Sequence, residues 1–217
     1  MDPIKIALPK GRLLTPALTL LSQTGIIQVD PDLDFERRLT MHTTDGKWQF
    51  LLVKPADVPI YVEYGAADLG IAGKDVLLET GRQVCELADL GIGRCRLIVA
   101  VPEESRITKA SDLVSGSRVA TKFPRIAREY FATYGVQVDI LKLNGSIELA
   151  PKAGLATAIV DITETGATLA QNQLRIVDEI RWVSARLICN RISYKLHYSL
   201  IQEILEKLQA GEERNVG

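Results

Sequence analysis

VATKFPRIAREYFATYGVQVD, residues 119–139, repeats the plan of IALPKGRLLTPALTLLSQTGIIQVD, residues 6–30. Each copy runs through a short apolar segment, a basic loop holding proline, a helix-period segment, a glycine stop and a closing segment that ends in QVD. Short apolar runs bounded by turn residues read as strands, and apolar residues at three- and four-residue spacing read as amphipathic helices. Two lobes built on one βαβ pattern are therefore expected. A second echo agrees: GAADLGIAG (65–73) returns as GLATAIVDI (154–162), a helix-ending glycine and small residues leading into a strand.

Outward from the repeat, WQFLLV (48–53), RLIVAVP (96–102) and ARLICN (185–190) read as further strands. VPIYVEYGA (58–66), KDVLLETG (74–81), IELAPKAG (147–154) and YKLHYSLIQEILEKLQAG (194–211) read as helices. This alternation predicts an α/β protein with largely parallel sheets. Chain leaving along RLIVAVP and returning along ARLICN gives a discontinuous first lobe, residues 1–96 and 180–217, around a second lobe at 97–179. Ligands of open α/β sheets bind beyond the carboxyl ends of the strands, so such loops from both lobes are expected to line a cleft.

Composition excludes several function classes. The 217 residues are 47% hydrophobic, enough for a substantial core, and 26 Lys plus Arg balance 27 Asp plus Glu. That balance carries no polyelectrolyte signal, so no nucleic-acid partner is expected. The start, MDPIKIALPKGR, has neither a signal-peptide pattern nor a membrane-length apolar run, which predicts a cytoplasmic chain with no membrane association. Cys85, Cys95 and Cys189 are scattered, and His42 and His197 have no ligand-spaced neighbours. That pattern argues against a disulfide framework or a zinc site.

The most chemically pointed segment is GLATAIVDITETGATL, residues 154–169. After a strand ending in an acid come Thr163, Glu164, Thr165, Gly166, Ala167 and Thr168, all but one of them small. Backbone N–H groups at the start of the following helix favour a phosphate, and the small side chains let an anion approach the backbone. Asp161 is placed to accept the vicinal hydroxyls of a ribose, and Glu164 to assist it or hold a metal. Thr165 or Thr168 as an ordinary helix cap is the other reading of the same residues. Neither a G-x-x-x-x-G-K-[ST] nor a G-x-G-x-x-G pattern is present, so this is not a Walker loop or a dinucleotide turn. Lys10 and Arg12, with Gly11 between them, occupy a strand-to-helix loop where cations meet a phosphate chain or stand in solvent.

ALPKGRL, KPADVPIYVEYGAADLGIAGKDVL (54–77), ADLGIGRCRL (88–97), VATKFP and NGSIELAPKAGLATAIVDITETGATL (144–169) resemble the ATP phosphoribosyltransferase family nearly end to end. The length resembles its short form. The resemblance implies two lobes of the periplasmic-binding-protein (type II) kind, with the active site in the cleft between them. It also implies transfer of the phosphoribosyl group of phosphoribosyl pyrophosphate to N1 of ATP, at the entry to histidine synthesis. Mg²⁺ is the implied ion, bound mainly through substrate pyrophosphate with Glu148 as a candidate ligand. The implied partner is a regulatory subunit resembling histidyl-tRNA synthetase, with a homodimer of the chain alone and a hetero-oligomer with that subunit.

By this resemblance Lys10, Arg12, Arg37 and Lys54 are the catalytic candidates, with Arg38 beside them. Glu148, Asp161 and Thr163–Thr168 hold phosphoribosyl pyrophosphate, and Lys10, Gly11, Gly73, Lys74, Asp89 and Gly91 hold ATP. Two positions depart from the family pattern. Lys54 stands where arginine is common, and ammonium lacks the guanidinium fork. Thr157 stands where G-L-A-D supplies a carboxylate, as Asp68 does in the first echo. Either the position is structural, or ion and ribose contacts fall more heavily on Glu148 and Asp161. Two other functions stay open: a non-catalytic two-lobed ligand-binding module, and a different phosphoribosyltransferase.

Overall fold

The computed structural model describes residues 3–27, 38–43 and 45–215, with side chains through residue 210. The chain divides into two compact units, 1–93 with 184–217, and 94–183. These bounds fall a few residues from the expected ones.

In the first unit β1 (Ile4–Pro9), α1 (Leu14–Gln23), β2 (Thr40–His42), β3 (Trp48–Val53), α2 (Val58–Glu63), β4 (Leu69–Gly73), α3 (Lys74–Thr80) and β5 (Cys85–Asp89) follow in order. The second unit holds β6 (Cys95–Pro102), β7 (Arg118–Thr121), α4 (Pro124–Ala132), β8 (Asp139–Lys142), α5 (Leu149–Lys152), β9 (Ala158–Thr163), α6 (Ala167–Gln171) and β10 (Leu174–Val183). The chain then returns to the first unit for β11 (Ala185–Cys189), α7 (Arg191–Leu196) and α8 (Tyr198–Asn215).

The first sheet has the order β2-β3-β1-β4-β11-β5 and the second β10-β6-β9-β7-β8. Each has a core of three parallel strands, β3-β1-β4 and β8-β7-β9. The flanking strands are antiparallel, so the sheets are mixed where largely parallel ones were expected. The return also differs: the strand that leads out of the second unit is β10, and ARLICN belongs to the first sheet as β11.

The parallel strands read as continuous apolar runs because both faces are covered. In the first unit Ile6, Leu8, Leu69, Ile71 and Leu187 pack with Leu18 and Leu21 of α1 and with Ile201, Ile204 and Leu208 of α8. On the opposite face Ala7, Ala72 and Ile188 meet Val58 and Val62 of α2. The final helical segment breaks at His197 into α7 and α8. Leu196, inside the single helix expected over 194–211, is 73% exposed on the far side of that break.

The repeat has a backbone signature. Asp68, ahead of β4, donates its N–H to the Lys5 carbonyl in β1, and Thr157, ahead of β9, donates its own to the Arg118 carbonyl in β7. The QVD ending is different in detail: β8 begins at Asp139 instead of ending there. Its first-copy counterpart, residues 28–30, lies outside the described residues.

Candidate active site

Three loops of the first unit leave its parallel strands at one sheet edge. Pro9 and Val53 are register partners, and the Lys10 N–H donates to the Val53 carbonyl at 2.8 Å. This holds the Lys10–Arg12 loop beside Lys54, with backbones about 5 Å apart, the spacing of neighbouring strands. Gly11 has φ +88°, a left-handed turn that only glycine adopts without strain. Arg12 and Lys54 are exposed and Lys10 is half-buried. On the other side of β1, β4 ends in Gly73, where a Cβ would overlap the Asp75 carboxylate. Lys74 follows as the first residue of α3, and its N–H donates to the Ser184 carbonyl at 2.9 Å.

Asp89 ends β5 at the same edge, and it is committed to the protein. Its carboxylate accepts the Ser184 hydroxyl at 2.6 Å and the Gly91 N–H at 3.0 Å, and pairs with the Arg186 guanidinium at 2.7 Å. Arg186 reaches Glu86 as well, at 3.5 Å, and Glu86 holds Lys74 at 2.5 Å. Glu86, Ser184 and Arg186 were not singled out by sequence reasoning. Their signal was weak: Arg186 and Glu86 sit inside strands whose alternation looks merely half-exposed.

In the second unit the Thr163–Thr168 turn leaves β9, between strands β6 and β7. Gly166 is the residue ahead of α6, at φ +82° with nothing within 4 Å of a built Cβ. The Thr163 hydroxyl accepts the Gly166 N–H at 2.9 Å, and the Thr165 hydroxyl accepts the Ala167 N–H at 3.3 Å. The hydroxyls therefore brace the turn, but Gly166 is the residue ahead of α6 and no side chain caps that helix, so neither Thr165 nor Thr168 is its cap; Glu164, Thr165, Ala167 and Thr168 are exposed. Asp161 lies two residues before the end of β9, opposite Ile98 of β6, and accepts the Ile162 N–H at 2.8 Å.

Glu148 stands just ahead of α5 in the loop after β8, half-buried, with no hydrogen bond or ion pair among the described residues. β7 ends between those two loops, and Lys122 follows it, exposed. Lys122 is the counterpart of Lys10 in the repeat, a signal legible in VATKFP beside IALPKG. Arg37 lies outside the described residues, and Arg38 is exposed.

Thr157 lies at the opposite end of β9 from this turn, a strand length of about 20 Å away. Its counterpart Asp68 is likewise at the start of β4, where its carboxylate accepts the Lys5 N–H at 2.9 Å and the Ser193 hydroxyl at 2.6 Å. In both copies the position lies at the start of its strand, and at Asp68 the carboxylate is taken up by these two bonds. A cavity of about 990 Å³, lined among others by Lys5, Trp48, Asp68 and His197, also opens at these amino ends, remote from the loops. Among the described residues no group of three His, Cys, Asp or Glu side chains is placed to hold a metal. No helix among them is long and apolar enough to cross a membrane.

The model of the HisG family, ATP phosphoribosyltransferase, matches residues 54–210. The ATP phosphoribosyltransferase of Halothermothrix orenii is 48% identical over 209 residues, 96% of this chain and 94% of its own. Among solved structures, the ATP phosphoribosyl transferase (HisG:HisZ) complex from Thermotoga maritima contains a chain that superposes with a TM-score of 0.80. It is 36% identical, and the match covers 97% of this chain and 99% of that one. The periplasmic aliphatic sulphonate binding protein SsuA from Escherichia coli shares the fold, with a TM-score of 0.65, 15% identity and coverage of 97% and 68%. The fold is thus of the type II periplasmic-binding-protein kind. With a family model spanning most of its length and relatives near half-identical from end to end, the chain belongs to the ATP phosphoribosyltransferase family.

Proposed function

We infer that the chain transfers the 5-phosphoribosyl group of phosphoribosyl pyrophosphate to N1 of ATP and releases pyrophosphate, the first step of histidine biosynthesis. The observation that carries this is the 48% identity to an ATP phosphoribosyltransferase across 96% of the chain. The solute-binding reading has only a shared fold at 15% identity behind it, and fold does not choose function.

The reaction sets the roles. Adenine N1 already carries a lone pair, so no general base is obligatory, and catalysis rests on positioning and charge stabilisation. The Thr163–Thr168 turn takes the 5-phosphate, its exposed helix start and Thr hydroxyls supplying donors. Asp161 takes the ribose hydroxyls and its charge opposes the cationic character that develops at C1. Lys10, Arg12 and Lys54, neighbours at one sheet edge, hold the phosphates that gain charge as pyrophosphate leaves; Arg37 is assigned with them from the family pattern. Gly11, Gly73 and Lys74 serve ATP. Asp89 and Gly91 serve it by shaping their loop through Ser184 and Arg186.

Mg²⁺ fits such a site as a substrate-borne ion, because the described residues offer Glu148 as an uncommitted carboxylate and no three-ligand cage. When bound, it would neutralise pyrophosphate charge. A regulatory subunit completes the proposal, by analogy with the Thermotoga maritima complex. The test is the ultraviolet absorbance of N1-ribosylated ATP: it should grow only with both substrates and Mg²⁺ present. No product under those conditions, with a correctly folded chain and with a regulatory subunit added, would refute the assignment.

A further inference from the structure

Two of the three cysteines lie directly opposite one another. Cys85 opens β5 and Cys189 closes β11, and the antiparallel register pairs them residue to residue. Directly opposed residues on such a pair share one face, with Cβ atoms about 5 Å apart. Both belong to the same core, Cys189 fully buried in it and Cys85 half-buried against it, and both thiols are free. A disulfide needs Cα atoms roughly 4.4–6.8 Å apart, which antiparallel neighbours meet. Its Cβ atoms need about 3.5–4.5 Å, so the strands must close by about 1 Å. β5 is the edge strand of its sheet, with no strand on its far side to be displaced, and the ladder beside the pair already shifts register between Leu187 and Ile188.

We propose that Cys85 and Cys189 form a reversible dithiol–disulfide site, oxidised by a hydroperoxide, that staples the edge strand β5 to β11. The Cys85 thiolate attacks one oxygen of hydrogen peroxide, the O–O bond breaks, and the departing hydroxide takes a proton to become water. Cys85 is then a sulfenic acid. The Cys189 sulfur attacks it, the S–S bond forms, and the hydroxide that leaves Cys85 takes the Cys189 proton as a second water. Two thiols lose two electrons and one peroxide gains them. The order follows exposure: Cys85 is reached from the sheet edge, while burial first, then Cys85 and Asp68, push the Cys189 thiol up to about 12 and keep it protonated until the second step. The staple sits at the opposite end of β5 from Asp89, so phosphoribosyl transfer is expected to survive it.

The experiment is peroxide titration of the reduced full chain, with thiols counted after denaturation. The count should fall from three to one, and a dithiol reductant should restore it. The tryptic peptides 83–94 and 187–191 should appear joined, lighter by two hydrogens than their sum. The link should persist in Cys95→Ser and vanish in Cys85→Ser, a half-buried position whose change the core tolerates. The oxidised chain should also melt at a higher temperature than the reduced one. Three surviving thiols under excess peroxide, loss of thiols only to sulfinic acid, linkage through Cys95, or disulfides between chains would each overturn the proposal. The mass spectrum of the unmutated chain decides this without relying on any variant's folding.

Discussion

Asp161, inside β9, and Asp68, just ahead of β4, are carboxylates at opposite ends of the parallel strands. Asp161 is near the carboxyl end of β9, and its expected partners are ribose hydroxyls. Asp161→Asn should lower kcat/KM by about 2–3 kcal/mol worth of rate, the scale of a lost charge-assisted hydrogen bond, with melting temperature little changed. A mutant with full activity would detach Asp161 from the ribose. Asp68 instead ties β1 to α7 through Lys5 and Ser193. Asp68→Ala should cost roughly 1–3 kcal/mol of stability, read from denaturant melts, since two donors lose a half-buried acceptor. Thr157→Asp restores a carboxylate to the second copy at an exposed site far from the turn, so stability should move within about 0.5 kcal/mol and neither KM should change. A selective change in the KM for phosphoribosyl pyrophosphate would return that position to the site.

Among elements, those whose both faces are covered were the most legible. WQFLLV was read with the bounds that β3 has, and the apolar segments that open the first repeat copy and close GAADLGIAG lie in β1 and β4. β10 went unread because it is an edge strand with two register shifts, and LRIVDEIRWV consequently shows neither alternation nor an apolar run. β2, β5 and β8 are short and half-exposed, and their sequences carry little burial to read. Of the candidate site, the loops that need small residues for their turns were legible, as at Gly11 and Gly166. Arg186, which reaches the candidate loops only through its ion pair with Asp89, was not legible. At Gly166 the difficulty for any other residue is the backbone angle alone, because a Cβ would meet nothing within 4 Å. Gly166→Asn should therefore fold well, whereas Gly166→Val should distort the turn by about 1–2 kcal/mol of left-handed strain. The KM for phosphoribosyl pyrophosphate should then rise far more in the valine variant than in the asparagine one, and more than the KM for ATP. Equal changes for both substrates would detach the turn from the phosphoribosyl group.

At the scale of the whole molecule, α8 packs against its own unit. Its Ile201, Ile204 and Leu208 are spent on the core of the first unit, leaving exposed Ile192, Leu196 and Tyr198 around the break at His197. The chain alone is expected to show low activity that histidine barely affects, and to gain both rate and histidine inhibition when a regulatory subunit is added. Activity measured against histidine concentration, with and without that subunit, checks this. Strong inhibition of the isolated chain would place the histidine site within these residues.

The chain enters and leaves its second unit at neighbouring points. The second unit begins at Arg94 and ends at Val183, and Val183 pairs with Cys95 across neighbouring strands, so its two ends are about 5 Å apart. A segment whose ends meet in this way behaves as a portable insert: the host closes over the gap with a short linker, and the insert needs no tether to keep its sheet in register. Residues 94–183 expressed by themselves should therefore fold cooperatively, as followed by circular dichroism on heating. Carrying the TETGAT turn but none of the lysine loops of the first unit, the fragment should bind phosphoribosyl pyrophosphate in calorimetry while ignoring ATP. Recombination of such a module with other hosts would then be a matter of matching two adjacent strand ends.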